Sequence, residues 1–277
     1  MIYIIILQYL NFFGNKKSQL YKNMSLVKYE KFFYLLLRIF YIIMFIMNKE
    51  KIASYIDHTL LKANATEKEI SDLCEQAKKY NFASVCINPC YVSFAKEKIY
   101  DSSVKICTVI GFPLGANSTE SKIAESLDAI KNGAQEIDMV INIGWAKMGK
   151  FELIKEEISK IVKESKKIAN VVVKVILETC LLTDDEIKNV CICAKSANAD
   201  FVKTSTGFAT PKDSNGKLLE NGATVHHVKL MRETVGPYMG VKASGGIRTA
   251  KSAAEMIDAG ATRIGTSSGE KILQEWE

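Results

Sequence analysis

From residue 52 onward, short runs rich in β-branched residues alternate with longer stretches of helical spacing, and this alternation limits the fold more than any other feature of the chain. Strands separated by helices need crossover connections, so they pair in parallel, and a parallel sheet is buried on both faces. Eight such runs lie near residues 55–59, 84–87, 105–110, 136–142, 171–178, 200–204, 239–243 and 262–266. The helices between them carry their own stops. Residues 119–132 end at Gly133 and residues 249–259 end at Gly260, small residues that tolerate the left-handed turn closing a helix. Eight strands with eight crossovers predict an α/β chain forming a single (β/α)8 TIM barrel, with its chemistry at the C-terminal ends of the strands. The alternative is an open doubly wound sheet. Against it, no GxGxxG follows the first run, and the last run leads into Gly265-Thr266-Ser267-Ser268-Gly269, as phosphate sites in barrels often do.

Residues 1–46 stand apart from this pattern. They hold 12 of the chain's 25 aromatic residues, six of its 37 basic residues and one of its 31 acidic ones. The run 32–47 is apolar except for Arg38 but shorter than the roughly 20 residues of a spanning helix. No small-residue cleavage site follows it, which counts against a signal peptide. Residues 1–46 are therefore expected to be a hydrophobic extension, a start-site artefact or disordered leader ahead of Met47, with a membrane anchor or targeting peptide as alternatives. Residues 47–277 form the expected barrel domain. Without the extension the net charge drops from +6 to +1, so nucleic-acid binding has no electrostatic support. Seven scattered cysteines without CxxC spacing suit free thiols in a reducing cytosol better than disulfides or a zinc site.

A charged residue inside a strand buried on both faces is costly unless it is paired or used. Four consecutive strands carry one: Asp138, Lys174, Lys203 and Lys242. A structural ion-pair cluster would explain any one of them; four in succession point to chemistry. An amine attacks a carbonyl only when unprotonated, and a free lysine near pKa 10.4 is almost wholly charged at neutral pH. Desolvation and a neighbouring cation both lower that value, and Lys203 and Lys242 fall on adjacent strands. Asp138 can relay protons through water.

Phe-Val-Lys203-Thr-Ser-Thr-Gly, Val-Lys242-Ala-Ser-Gly-Gly-Ile-Arg248-Thr and Glu-Ile-Asp138-Met-Val resemble the three catalytic segments of the deoxyribose-phosphate aldolase family. Tyr-Ile-Asp57-His-Thr59-Leu-Leu, Ala-Ser-Val-Cys86-Ile-Asn88-Pro and Lys174-Val-Ile-Leu-Glu178-Thr resemble its first, second and fifth strands, over about residues 52–272. The resemblance implies a class I aldolase cleaving 2-deoxyribose 5-phosphate, with no cofactor and no metal. Lys203 would form the Schiff base, Lys242 would tune it and Asp138 would relay protons. Asp57, Thr59, Cys86, Lys174 and Thr204 would contribute to substrate binding. A cytoplasmic protein acting on a small phosphosugar is expected, and a homo-oligomer, dimer or tetramer, is compatible with the family.

Gly245-Gly246 after the seventh run and Gly265, Ser267 and Ser268 after the eighth let backbone N–H groups approach an anion closely. The resemblance assigns the 5-phosphate there, with Gly207 and Phe208 nearby. Of the three histidines, His58 is expected in a structural network below the site, and His226 and His227 at a partly exposed helix start; none has metal-ligand spacing. Two departures stand out. Residues 211–221 insert a polar loop, either a lid or a longer surface turn, where relatives have a few glycines. The chain also ends at Trp276-Glu277, so a family tail with a terminal tyrosine has no counterpart in this sequence. Another Schiff-base aldolase or transaldolase, or a catalytically silent phosphosugar-binding barrel, remain competing readings.

Overall fold

The computed structural model describes residues 49–212, 215–219 and 221–276. The hydrophobic extension expected at 1–46 lies outside the described residues. The eight strands are β1 (Ile56–Leu60), β2 (Ser84–Ile87), β3 (Lys105–Ile110), β4 (Glu136–Val140), β5 (Val172–Ile176), β6 (Phe201–Lys203), β7 (Gly240–Ser244) and β8 (Arg263–Thr266). They close in sequence order into a parallel barrel, β8 pairing back onto β1. The eight runs are those expected, with some ends moved or trimmed because β4, β5 and β6 leave the ladder where their functional loops begin.

The main helices are α1 (Glu67–Tyr80), α2 (Val92–Ile99), α3 (Thr119–Asn132), α4 (Ile143–Lys147), α5 (Phe151–Ile168), α6 (Asp184–Ser196), α7 (Val225–Val235), α8 (Ala250–Asp258) and α9 (Gly269–Glu275). Their starts are written in the sequence. Thr66 accepts from the Glu69 N–H while Glu69 reaches back to the cap, and Thr183 and Glu186 repeat this ahead of α6, each pair satisfying N–H groups that have no partner inside the helix. Thr249 belongs to the cap of α8, not to the helix as the sequence suggested: its backbone is extended, φ −134° and ψ 158° being incompatible with a helical turn.

Outward-facing Val85, Ile87, Ile137, Met139, Val173, Val175, Val202, Val241 and Ile264 are essentially fully buried between barrel and helices. Each such side chain contributes about 1.5–3 kcal/mol through burial, and truncating one, as in Ile137→Ala, costs about 2–5 kcal/mol. This apolar shell holds the strands in register, and the register sets which side chains share the interior. Among the described residues no helix is long and apolar enough to cross a membrane.

Candidate active site in the barrel interior

Alternation along each strand sends every second side chain inward. The consequence here is an interior of charge. Asp57 on β1, Glu136 and Asp138 on β4, Lys174 on β5, Lys203 on β6, Lys242 on β7 and Arg263 on β8 form one connected set of ion pairs. With all groups ionised, three carboxylates face four cations, a net of +1.

Asp138 is the hub. Its Oδ1 accepts from Lys174 Nζ at 2.7 Å and lies 3.2 Å from Cys107 Sγ. Its Oδ2 accepts from Lys203 Nζ at 2.8 Å and from Lys242 Nζ at 2.7 Å, so two amines on adjacent strands converge on one oxygen. The pairing Lys203↔Lys242 across β6 and β7 is what places them there. Burial opposes ionisation of Asp138, but Lys174, Lys203 and Lys242 outweigh it and hold the carboxyl well below the usual range.

The three lysines are not equivalent. Lys174 is fully buried and reaches Glu136 at 2.7 Å, Asp138 at 2.7 Å and Asp57 at 3.8 Å. Lys242 is also fully buried and pairs with both Asp57 and Asp138. Burial lowers the pKa of each, yet the carboxylates dominate and raise both above the ordinary lysine value. Lys203, at the C-terminal end of its strand and 3% exposed, has Asp138 as its one carboxylate partner among the described residues. Lys242 thus lies beside Lys203 with its own charge met by two carboxylates.

Asp57 lies in the lower part of this network. It accepts from Ser84 at 2.6 Å and Arg263 at 2.6 Å, and the cations Lys242, Arg263 and Lys174 hold it below the normal carboxylate range against the effect of burial. Arg263 also bridges to Glu136 at 3.0 Å. The sequence reading missed both Arg263 and Glu136. Their signal was available: Glu136 is two residues before Asp138 on one strand, and Arg263 two before Gly265, so each shares an inward face with a residue already singled out.

Cys86 faces inward beside Cys107. Cys107 beside it lowers the Cys86 thiol below the ordinary cysteine value, while burial raises that of Cys107. Thr59 is partly buried on the inward face of β1, its hydroxyl on the Asp57 carbonyl. Thr204 bonds the backbone of Ser244 in both directions, tying the end of β6 to β7. His58 lies on the opposite face of β1 from Asp57, against Gln76 at 2.7 Å and the Phe82 ring, and so outside the barrel instead of below the site.

Glu178 follows β5 in the left-handed region at φ 60°, a conformation that strains a residue with a Cβ. Its buried carboxylate accepts from the Thr206 N–H at 3.1 Å and from the Thr206 hydroxyl, and Thr206 Oγ1 accepts from the Phe208 N–H at 3.0 Å. Glu178 thereby holds the turn after Lys203 in shape, a role the sequence did not reveal.

The glycine-rich turns meet on the same end of the barrel. Gly245 and Gly246 have φ of 86° and 80°. A Cβ on Gly222 would lie 2.4 Å from the Gly245 carbonyl oxygen, so the loops after β6 and β7 touch backbone to backbone. Gly207 and Phe208 continue this rim, and Phe208 packs edge-on against Phe112 at 5.2 Å. Gly265 faces inward, and a Cβ there would lie 3.0 Å from Lys242 Cε. Ser267 is exposed; Ser268 is partly buried and its N–H is already donated to Thr266 Oγ1 at 2.9 Å. The 211–221 insertion carries a short antiparallel bridge, Lys212 with Leu218, and Asn221 Nδ2 donates to the Ala209 carbonyl at 2.5 Å.

Residues 51–275 match the model of the DeoC/LacD family aldolases. The chain is 56% identical over 225 residues to the deoxyribose-phosphate aldolase of Thermoanaerobacter pseudethanolicus, covering 81% of this chain and 96% of that protein. It is 56% identical over 224 residues to the deoxyribose-phosphate aldolase of Clostridium botulinum, covering 81% of this chain and all of that one. Among solved structures, a tetrameric deoxyribose phosphate aldolase from Aeropyrum pernix aligns with a TM-score of 0.73 at 37% identity, over 82% of this chain and 91% of that chain. A family match across most of the chain, at these identities, places the chain in the DeoC/LacD family of aldolases.

Proposed function

We propose that this chain is a class I aldolase that reversibly cleaves 2-deoxy-D-ribose 5-phosphate to D-glyceraldehyde 3-phosphate and acetaldehyde, through a Schiff base on Lys203. One observation carries the assignment of the lysine: Lys203 has a single carboxylate partner and some exposure, while Lys174 and Lys242 are fully buried with more than one partner. Of the three, Lys203 has the fewest ion pairs to give up when its amine becomes bonded to carbon.

The free amine of Lys203 attacks the C1 carbonyl of the open-chain sugar, and loss of water leaves a protonated imine. That cation takes over the place of the ammonium beside Asp138. As the C3 hydroxyl loses its proton, the C2–C3 bond breaks, releasing glyceraldehyde 3-phosphate and leaving an enamine on Lys203. Protonation at C2 and hydrolysis then release acetaldehyde and restore the amine. Asp138, bonded to both reactive-face lysines, is the relay for these protons, with Lys242 as the charged partner that keeps Asp138 ionised. The 5-phosphate is assigned to the rim formed by Gly207, Phe208, Gly245, Gly246, Ser267 and Ser268, where backbone can approach an anion closely. Asp57, Thr59, Cys86, Lys174 and Thr204 support this site from the barrel wall.

The likeness to a tetrameric relative supports a homo-oligomer, and free thiols with no spanning helix among the described residues support a cytoplasmic enzyme. Assaying acetaldehyde release from deoxyribose 5-phosphate tests the reaction. Steady turnover that disappears in Lys203→Leu is expected; cleavage of another phosphosugar in preference, without acetaldehyde, would replace the substrate assignment.

A further inference from the structure

The sequence shows no metal-ligand spacing, but folding brings together three ligating groups far from one another in the chain. Asp184 opens α6, and His226 and His227 lie in the first turn of α7. Ligand atoms from all three lie within 4.8 Å of one another. His226 Nε2 is 2.8 Å from Asp184 Oδ2 and 3.0 Å from Oδ1, and the two imidazole rings are 5.4 Å apart. A surface His–Asp pair accounts for His226 alone. It leaves His227 beside it with a buried Nδ1 that has no hydrogen-bond partner among the described residues.

We infer that Asp184, His226 and His227 form a binding site for one divalent transition ion of the zinc class, tying the N-terminus of α6 to that of α7. Two imidazoles and a carboxylate suit such an ion better than magnesium or calcium, which prefer all-oxygen sets. A tetrahedral ion with bonds of about 2.1 Å needs ligand atoms about 3.4 Å apart. His226 and Asp184 are slightly closer than that and all three ligand atoms lie within 4.8 Å of one another, and side chains exposed at 65% for His226 and 48% for Asp184 can adjust by the remainder. The positive ends of two helices oppose a cation here; Asp184, Asp185 and Glu186 in the first turn of α6 offset them. Three protein ligands leave a fourth position for water. The site joins the segments that follow β5 and β6, and the second of these carries the turn after Lys203, so an occupied site would restrict the chain bordering the barrel mouth.

The test is calorimetric titration of Zn2+ into the dialysed full-length protein, alongside His226→Ala, His227→Ala and Cys90→Ser, the last removing the exposed thiol. Loss of groups that merely orient a ligand weakens metal binding roughly 10–100-fold, so loss of a ligand itself should weaken it by about 100-fold or more. One ion per chain is expected, lost in both histidine variants, retained in Cys90→Ser, and raising the melting temperature of the wild type but not of His226→Ala. Mg2+ should not substitute. Aldolase turnover without added metal shows that each variant is folded. Absence of saturable Zn2+ binding in the wild type, undiminished binding in His226→Ala, or loss in Cys90→Ser would overturn the inference.

Discussion

Asp138→Asn is the most informative single change in the barrel, because one fully buried carboxylate accepts from three lysines. Hydrogen bonds to charged groups contribute about 1.5–3 kcal/mol each, so three would suggest about 4.5–9 kcal/mol. That is an upper bound, because an amine left without a partner can shed its proton. Breaking a buried ion pair costs about 3–5 kcal/mol in practice, and this is the expected destabilisation. In urea it should lower the unfolding midpoint by at least about 1 M. The pH dependence has a definite sign. The folded pKa of Asp138 lies well below its unfolded value, about 3.9, so its contribution is fully present above pH 4 and is lost as pH falls from there toward the folded value. The stability gap between wild type and Asp138→Asn should therefore be constant from pH 8 to about pH 5 and narrow below about pH 4. Turnover should fall about 100-fold or more, the usual contribution of a proton relay. A stability loss under about 1 kcal/mol, or a gap that does not narrow in acid, would refute the hub described for this carboxylate.

Gly265→Ala should crowd Lys242 Cε and Ser244 Cβ, each 3.0 Å from the added methyl, lowering thermal stability by about 1–3 kcal/mol and turnover with it; unchanged turnover would show that Lys242 has room to spare. Ser268→Asp should place a negative charge against the phosphate and raise KM for deoxyribose 5-phosphate far more than for unphosphorylated deoxyribose, an equal change for both placing the phosphate elsewhere. It is a cleaner test than a change at Gly246, where φ of 80° would strain any side chain. Deleting residues 1–46 should leave activity and solubility intact or improved, since relatives matched over nearly their whole length align with about four fifths of this chain; a truncated chain that fails to fold while the full chain folds would contradict this.

The barrel was legible because its signal is periodic. Short apolar runs separated by capped helices admit few topologies, and caps such as Thr66 and Thr183 are local patterns of four residues. Charged residues in the middle of such runs, Asp138, Lys174, Lys203 and Lys242, were visible for the same reason. The partners of those charges were not. Arg263 begins its strand and Glu136 begins its own, positions where charge normally meets water, and only barrel closure turns them inward to Asp57 and Lys174. The compensation of Lys242 by two carboxylates followed from that closure as well. Glu178 was hidden differently: its work depends on a left-handed backbone that a glutamate gives no reason to expect. The Asp184, His226 and His227 cluster depends on α6 and α7 lying side by side, so a separation of 42 positions between Asp184 and His226 carries no spacing signal.

On the proposed mechanism Lys203, and not its better-paired neighbours, becomes covalently attached to substrate. Reduction with borohydride in the presence of acetaldehyde, followed by tryptic digestion and peptide mass analysis, tests it directly. One ethyl group is expected on the peptide containing Lys203; Lys242→Leu should still be labelled there while turning over far more slowly, and Lys203→Leu should be neither labelled nor active. An adduct on Lys174 or Lys242, or full turnover in Lys203→Leu, would contradict the account.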